Sequence, residues 1–449
     1  MHASFFIDSF KKNLEKDAIV WRNSTYSYSN LLEKYFYWEK KLSQSSISSG
    51  TVVVIEADFS PNAISLLLVL ININSIIVPI TDSVKSKKDE FIEISQGEII
   101  IEIDNKDNVE IKKIEGKPNS INKYYKILKG KKHPGLVLFS SGSTGKSKAS
   151  VHDLTYLLSK FKVKRHRFVA ITFLLYDHIG GFNTLFYILS NLGMIVTAQD
   201  RSPSEVLRLI DKYNVELLPT SPTFLNLVLI SEEFKNYDLS SLKIITYGTE
   251  PMPKTTLLRF NQLLPKVKFT QTYGLSEVGI LRSKSKSSDS LWVKVGGEDY
   301  KTRVVNGMLE IKSKSSMLGY LNAISPFTND GWFKTGDLVE IKNDYIKILG
   351  RKSEIINVGG EKVYPQEVEN ILLSNPKIKD ATVFGEKNPI LGNIVCANIW
   401  LNEEYDKKNK IKIDIRQFCN QNMERYKVPV KIFLINENLH NARFKKKRS

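Results

Sequence analysis

From residue 25 onward, short runs of β-branched and apolar residues alternate with stretches whose apolar side chains recur at helical spacing. TYSYSNLLEKYFYWEKKL (25–42) reads as a helix behind a serine cap, and TVVVIEA (51–57) reads as a strand. GLVLFSS, FVAITFLL, MIVTAQ, VELLPTS, LKIITYG and KFTQTYG supply further strands, several of them preceded by helical segments. Strands separated by helices must run parallel and cross over, which constrains the chain to an α/β architecture.

At 449 residues the chain is too long for one core. Between residues 292 and 350, LWVKV, TRVVNGMLEIKS and DYIKILG lie close together with Asn-Gly and Asn-Asp between them, the pattern of short antiparallel strands. A compact α+β unit is expected after Gly350, with strands at DATVFGE, NIVCANIWL and KIFLI and a helix around IDIRQFCNQNMERY. The Lys/Gly/Ser-rich stretches at 112–134 and 283–290 read as mobile surface loops.

Charge and cysteine content exclude some classes. The net charge of +17 comes from lysines spread along the chain, so it reads as surface chemistry suited to phosphorylated substrates and not as a nucleic-acid footprint. Two cysteines, Cys396 and Cys419, without CxxC spacing exclude a disulfide framework or structural zinc and suit a cytoplasmic location. Only 63–80, AISLLLVLININSIIVPI, approaches membrane length; Asn72, Asn74 and Ser75 make it a buried helix running into a buried strand. MHASFFIDSFKK lacks the layout of a signal peptide.

The stretch FSSGSTGKSKAS (139–150) has the composition of a phosphate loop. A Walker A loop requires glycine at position 140, which is Ser140, and no apolar run ending in a magnesium-binding aspartate follows. FSSGSTGKSKASVH instead resembles the phosphate loop of the adenylate-forming superfamily, the acyl-CoA synthetases and AMP-dependent ligases. Gly142 and Gly145 let backbone approach phosphate, while Ser140, Ser141, Ser143 and Thr144 supply donors. Lys148 takes the family's lysine position; Ser147 and Ala149 replace its usual proline and glycine.

Four further blocks follow in the family's order. TYGTEPMP (246–253) resembles the wall of the adenine site and brings in Gly248, Thr249 and Glu250. QTYGLSEVG (271–279) is similar to the Tyr-Gly signature; the resemblance puts Tyr273 and Gly274 beside adenine, Ser276 on phosphate and Glu277 on Mg²⁺. The Thr-Gly-Asp of DGWFKTGDLVEI (330–341) makes Asp337 the acceptor of both ribose hydroxyls. GRKSEIINVGGEKVYPQEVEN (350–370) resembles the family's hinge and its entry into the small domain. The resemblance implies that Arg351 contacts ribose or phosphate, puts Ser353 at the hinge position, and places Gly359 and Gly360 where relatives let the pantetheine arm of coenzyme A pass. NARFKKKRS (441–449) offers Lys445 as the catalytic lysine, behind Phe444 where relatives have glycine, with Lys446 as the alternative register.

FLLYDHIGGFNTLF (173–186) resembles the acyl-pocket segment. His178 there is either a guide for the carboxylate or a structural histidine, and Ile179, Phe182 and Asn183 are expected to line the pocket. Relatives that activate amino acids carry aspartate at the position of Ile179, so the expected substrate is an organic acid.

The resemblance implies a large N-terminal domain (1–350) of parallel α/β sheets with a small antiparallel β-barrel-like subdomain, followed by a small mobile α+β lid (351–449). It implies ATP, Mg²⁺ and a thiol acceptor, either coenzyme A or the phosphopantetheine of a carrier protein. A degenerate nucleotide-binding homologue is the non-catalytic alternative, motivated by Ser147, Ala149, Ser353 and Phe444.

Overall fold

In the computed structural model, the described residues are 2–116, 120–141, 147–297, 299–403, 408–436, 439–440 and 446, without the side chains of residues 141 and 408. Two seven-stranded sheets form the N-terminal part. In the first, Lys268–Gln271, Ile244–Tyr247, Leu217–Thr220, Val169–Ile171, Met194–Val196 and Asp17–Trp21 run parallel in that order, with Ser24–Ser27 antiparallel at the edge. The second has a parallel centre, Gly135–Ser141, Ile76–Ile80, Val52–Glu56 and Ile99–Ile103. Antiparallel Ser147–Asp153 and Val109–Lys113 flank that centre.

The apolar run at 63–80 is a helix, Pro61–Asn72, and a strand, Ile76–Ile80. The first-turn amides find acceptors: Ser60 accepts from Ala63 at 3.1 Å and Asp107 from Asn62 at 3.2 Å, while Pro61 at the first position has no N–H to satisfy. Leu66 to Ile71 are all buried, each contributing roughly 1.5–3 kcal/mol of hydrophobic stabilisation. The polar residues that argued against a membrane have structural tasks: Asn72 accepts from the Ala3 amide at 2.8 Å and donates to the Tyr35 hydroxyl at 2.9 Å. Asn74 adopts a φ of 62° to turn the chain. Among the described residues no helix is long and apolar enough to cross a membrane.

Six strands between Arg282 and Arg351 form an antiparallel sheet. Asn306 and Gly307 both take positive φ in the hairpin between Tyr300–Val305 and Met308–Ser313, which fits the right-handed strand twist. The C-terminal unit has its own core, from Ile356 to Ile432, under a sheet in which Ile378–Asn388 pairs with Gly392–Leu401 and Lys431–Ile435 completes the other side.

Two loop expectations are corrected. Within 112–134, Lys123–Lys131 is a helix, because Asn122 caps it and Tyr125 and Leu128 bury its apolar side beneath many lysines. Ser283, Lys284 and Ser285 belong to the strand Arg282–Ser285, whose register with Val293–Gly296 overrides low strand propensity. FVAITFLL is strand only over Val169–Ile171; beyond it the chain leaves the sheet to build the site.

Candidate active site

The parallel strands of the first sheet end at Thr220, Tyr247 and Gln271, and the segments that leave them open a cavity of about 820 Å³. Side chains beyond the carboxyl ends of parallel strands converge on such crevices. A smaller cavity of about 300 Å³ adjoins it and shares Gly248, Thr249, Gly274 and Arg351.

The stretch expected to bind phosphate starts from the hairpin of Gly135–Ser141 and Ser147–Asp153, where Ser140 pairs with Lys148 and Ser141 with Ser147. Gly142, Ser143, Thr144 and Gly145 lie outside the described residues. Asn322 clamps this hairpin: its amide nitrogen donates to the Ser147 carbonyl at 2.8 Å, and its oxygen accepts from the Ala149 amide at 3.1 Å. The Ala149 methyl is buried in a cluster with Phe139 and Phe91, whose rings stack 3.8 Å apart. The two departures from the family loop are therefore packed and hydrogen-bonded at their backbones.

Lys148 and Ser140 face the larger cavity, with Lys148 5.7 Å from the centre of the Tyr320 ring. The Tyr320 hydroxyl donates to Glu277 at 2.7 Å, and burial raises its pKa above the ordinary phenol value. One Glu277 oxygen is thus fixed, and the carboxylate borders the cavity. Tyr320 was not singled out in the sequence; it arrives from the edge strand Gly319–Tyr320, whose pairing with Val151 and Ser150 depends on tertiary contact.

Behind Ser276, His152 is fully buried, and its Nε2 hydrogen-bonds the Ser276 carbonyl at 2.6 Å. Burial pushes its pKa down to about 4, opposed by the Ser276 and Ser315 backbone. The unfolded chain binds this proton more readily, with a pKa near 6.5, so its contribution is fully present above about pH 6.5. It is lost as pH falls towards 4, by about 3 kcal/mol in all. Urea titrations between pH 7 and 4.5 should show this loss, with a shallower pH slope in His152→Gln.

The residues expected to meet ribose, Asp337 and Arg351, line the smaller cavity. Asp337 and Arg351 are paired residues on adjacent antiparallel strands, with Arg351 Nε 3.4 Å from Asp337 Oδ1. The Tyr273 hydroxyl donates to Asp337 Oδ2 at 2.5 Å. Burial raises the Asp337 pKa, and the Arg351 charge and the Tyr273 hydrogen bond oppose that rise. Tyr273 therefore positions the carboxylate, while its ring borders the cavity. Gly336 takes a φ of 78° between Thr335 and Asp337, a turn that a side chain would strain.

Thr249 adopts a left-handed φ of 70°, unusual for a β-branched residue and found where a site fixes its backbone. Glu250 serves as an anchor: it accepts from the Thr223 amide at 2.8 Å and from the Lys446 amide at 3.4 Å, and burial raises its pKa. Gln271, missed in the sequence within QTYG, borders the smaller cavity, and its buried Oε1 has no hydrogen-bond partner among the described residues.

His178 caps the helix Ile179–Ser190, its Nδ1 accepting from the Gly180 amide at 3.1 Å, and it also lines the larger cavity. When neutral, this ring carries its proton on Nε2. Ile179 and Asn183 share the cavity face one helical turn apart. Phe182 does not line it: rotated off that face, it packs against Phe186 with ring centres 4.7 Å apart, a correction to the pocket expectation. Asp177 is buried and accepts from the Thr81 hydroxyl at 3.1 Å, away from that face.

Gly359 and Gly360 form the exposed turn between Ile356–Val358 and Glu361–Val363 and do not border either cavity. Ser353, in the short turn Lys352–Glu354, does line the larger one. Lys445 lies outside the described residues. Lys446 borders the smaller cavity, but its ammonium donates to the Ala381 carbonyl at 2.7 Å and pairs with buried Asp380 at 3.1 Å.

Residues 6–320 match the family described as AMP-binding enzyme, and residues 367–446 match the AMP-binding enzyme C-terminal domain. A 4-coumarate–CoA ligase-like protein of Arabidopsis thaliana is 28% identical over 63% of this chain and 55% of its own length. A probable CoA ligase of Humulus lupulus is 30% identical over 72% and 62%, and the 2-succinylbenzoate–CoA ligase of Bacillus subtilis 28% identical over 59% and 56%. The matched segments thus span between about half and two thirds of these relatives. Among solved structures, the anthranilate CoA ligase AuaEII with anthranoyl-AMP superposes over 99% of this chain and 95% of its own, with a TM-score of 0.83 at 18% identity. The o-succinylbenzoate CoA synthetase of Bacillus subtilis with its acyl-adenylate covers 99% and 96%, with a TM-score of 0.74 at 20% identity. These likenesses establish the fold: a large N-terminal domain of α/β and antiparallel sheets and a small C-terminal domain.

Proposed function

The chain belongs to the AMP-binding enzyme family, and we propose that it activates an organic acid with ATP as an acyl-adenylate and transfers the acyl group to coenzyme A. The observation that carries this reading is the convergence of Lys148, Glu277, Arg351 and His178 on one cavity, beside the Asp337–Tyr273 ribose pair.

A carboxylate is a poor electrophile, because its charge repels nucleophiles and its oxygen leaves poorly. Its oxygen attacks the α-phosphorus of ATP; the bond to the bridging oxygen breaks and pyrophosphate departs. Catalysis of such a step is positioning and charge neutralisation. Asp337 receives the ribose diol with the lone pairs that Tyr273 and Arg351 leave available. The Gln271 oxygen offers an acceptor to the adenine amino group. Residues 140–145 and Lys148 hold the phosphates, and His178, Ile179 and Asn183 receive the acid.

Glu277 suits Mg²⁺: it is one acceptor-only carboxylate on a phosphate-binding cavity, and no group of three or more metal-ligating side chains exists among the described residues. Magnesium of that kind takes one or two carboxylates plus substrate phosphates and supplies charge neutralisation. Lys445 bridges the carboxylate and α-phosphate as a mobile point charge.

In the second step the thiol attacks the mixed anhydride and AMP leaves. Gly359 and Gly360 serve only this step, after rotation about Arg351–Glu354, which divides 1–350 from 351–449. The isoleucine at position 179, where aspartate would hold an amino group, and the acids for which the relatives are named favour an organic acid over an amino acid. Incubation with ATP, Mg²⁺ and a panel of acids should yield AMP and a thioester with coenzyme A. Thioester formation only on a phosphopantetheinylated carrier would assign the other acceptor. Nucleotide binding with no acid-dependent turnover would contradict the reading.

A further inference from the structure

Two neighbouring lysines on the segment Asp82–Lys87 and the helix Lys88–Ser95 have opposite electrostatic surroundings. The Lys88 ammonium is neutralised by Glu56 and Glu102. Lys87 forms no ion pair among the described residues; its ammonium donates to the Ser147 hydroxyl at 3.3 Å and borders the larger cavity. Lys148, the next residue after Ser147, likewise has no carboxylate partner among the described residues and packs over Tyr320. Two cations without a carboxylate partner among the described residues therefore border the same cavity near the base of the 139–150 stretch, on a wall where charge is costly without a counterion. Ser147 makes the approach of Lys87 possible. The proline that relatives carry at this position has no hydroxyl to accept the ammonium's hydrogen bond.

We propose that Lys87 is a second phosphate-binding cation, contacting the β- and γ-phosphates of ATP and the departing pyrophosphate, with Ser147 as its positioning residue. The proposal rests on the ATP-dependent reading above. Lysine suits this task as a compact point charge that follows phosphate oxygens as they separate. The substitution of Ser147 then compensates the lost rigidity of proline with an added cation.

The test is equilibrium titration of the full chain with ATP, AMP, pyrophosphate and coenzyme A in the presence of Mg²⁺. In Lys87→Met, affinity for ATP and pyrophosphate should fall roughly tenfold, the loss of one charge-assisted contact, while AMP and coenzyme A bind as in the parent. Lys87→Arg should retain most ATP affinity, and Ser147→Ala should show a smaller loss in the same direction. Equal weakening of ATP and AMP would mean a structural role and overturn the proposal. So would a loss confined to coenzyme A, which would place the lysine on the other substrate. If the parent supports acid-dependent turnover but Lys87→Met leaves the ATP-to-AMP affinity ratio unchanged, only this proposal fails. If the parent binds no ATP, the functional reading fails with it.

Discussion

Replacing Lys445 by alanine should lower acid-dependent adenylation by about two to three orders of magnitude while leaving thioester formation from a presynthesised acyl-adenylate within a few-fold of the parent. The expected size is that of one preorganised electrostatic contact made to charge developing in the transition state. The asymmetry follows from chemistry: the first step must neutralise a carboxylate approaching a polyphosphate, and the second joins a thiol to a mixed anhydride from which AMP leaves. The surroundings of Lys446 sharpen this expectation. Its ammonium is held by Asp380 and the Ala381 carbonyl within the C-terminal unit, and its backbone amide donates to Glu250 at the cavity rim. A lysine so engaged is an anchor for the tail, which leaves Lys445 as the candidate for chemistry. Lys446→Met should therefore keep most adenylation activity. Single-turnover assays of the two half-reactions separate the cases, and equal loss of both in Lys445→Ala would count against the assignment.

The second large effect concerns stability. Asp380 is almost wholly buried, as is the side chain of Lys446. Truncating Asp380 to alanine strands an ammonium in a low-dielectric setting, and removing one partner of such a pair typically costs about 3–5 kcal/mol. Replacing both partners, Asp380→Ala with Lys446→Met, removes the stranded charge and should recover most of that loss. Urea midpoints for the two single variants and the double variant give the coupling directly. Additive losses would show that the pair is not the anchor described.

Much of this fold was legible in sequence because local and global signals agree. Alternating β-branched runs and capped helices specify parallel sheets, and the Asn306-Gly307 turn specifies a hairpin. The helix Lys123–Lys131 was not legible, because its lysines conceal the two side chains that bury it. The candidate site divides in the same way. Asp337, Arg351, Glu277 and Lys148 sit in contiguous motifs, and the structure brings them to adjoining cavities. Tyr320, Asn322 and Lys87 were missed because each reaches the site through pairing or packing between segments distant in sequence. Phe182 was misplaced because motif spacing does not say which side of a helix faces a cavity; Phe186 and the core behind it decide that.

The central claim is that this cavity joins an acid to AMP. Isotope exchange between pyrophosphate and ATP, measured across a panel of aryl and aliphatic acids and amino acids, tests it most directly. Exchange should appear only when a suitable organic acid is present, require Mg²⁺, and collapse in Lys445→Ala. Exchange that runs without any acid, or silence across the panel from protein that binds ATP, would contradict it.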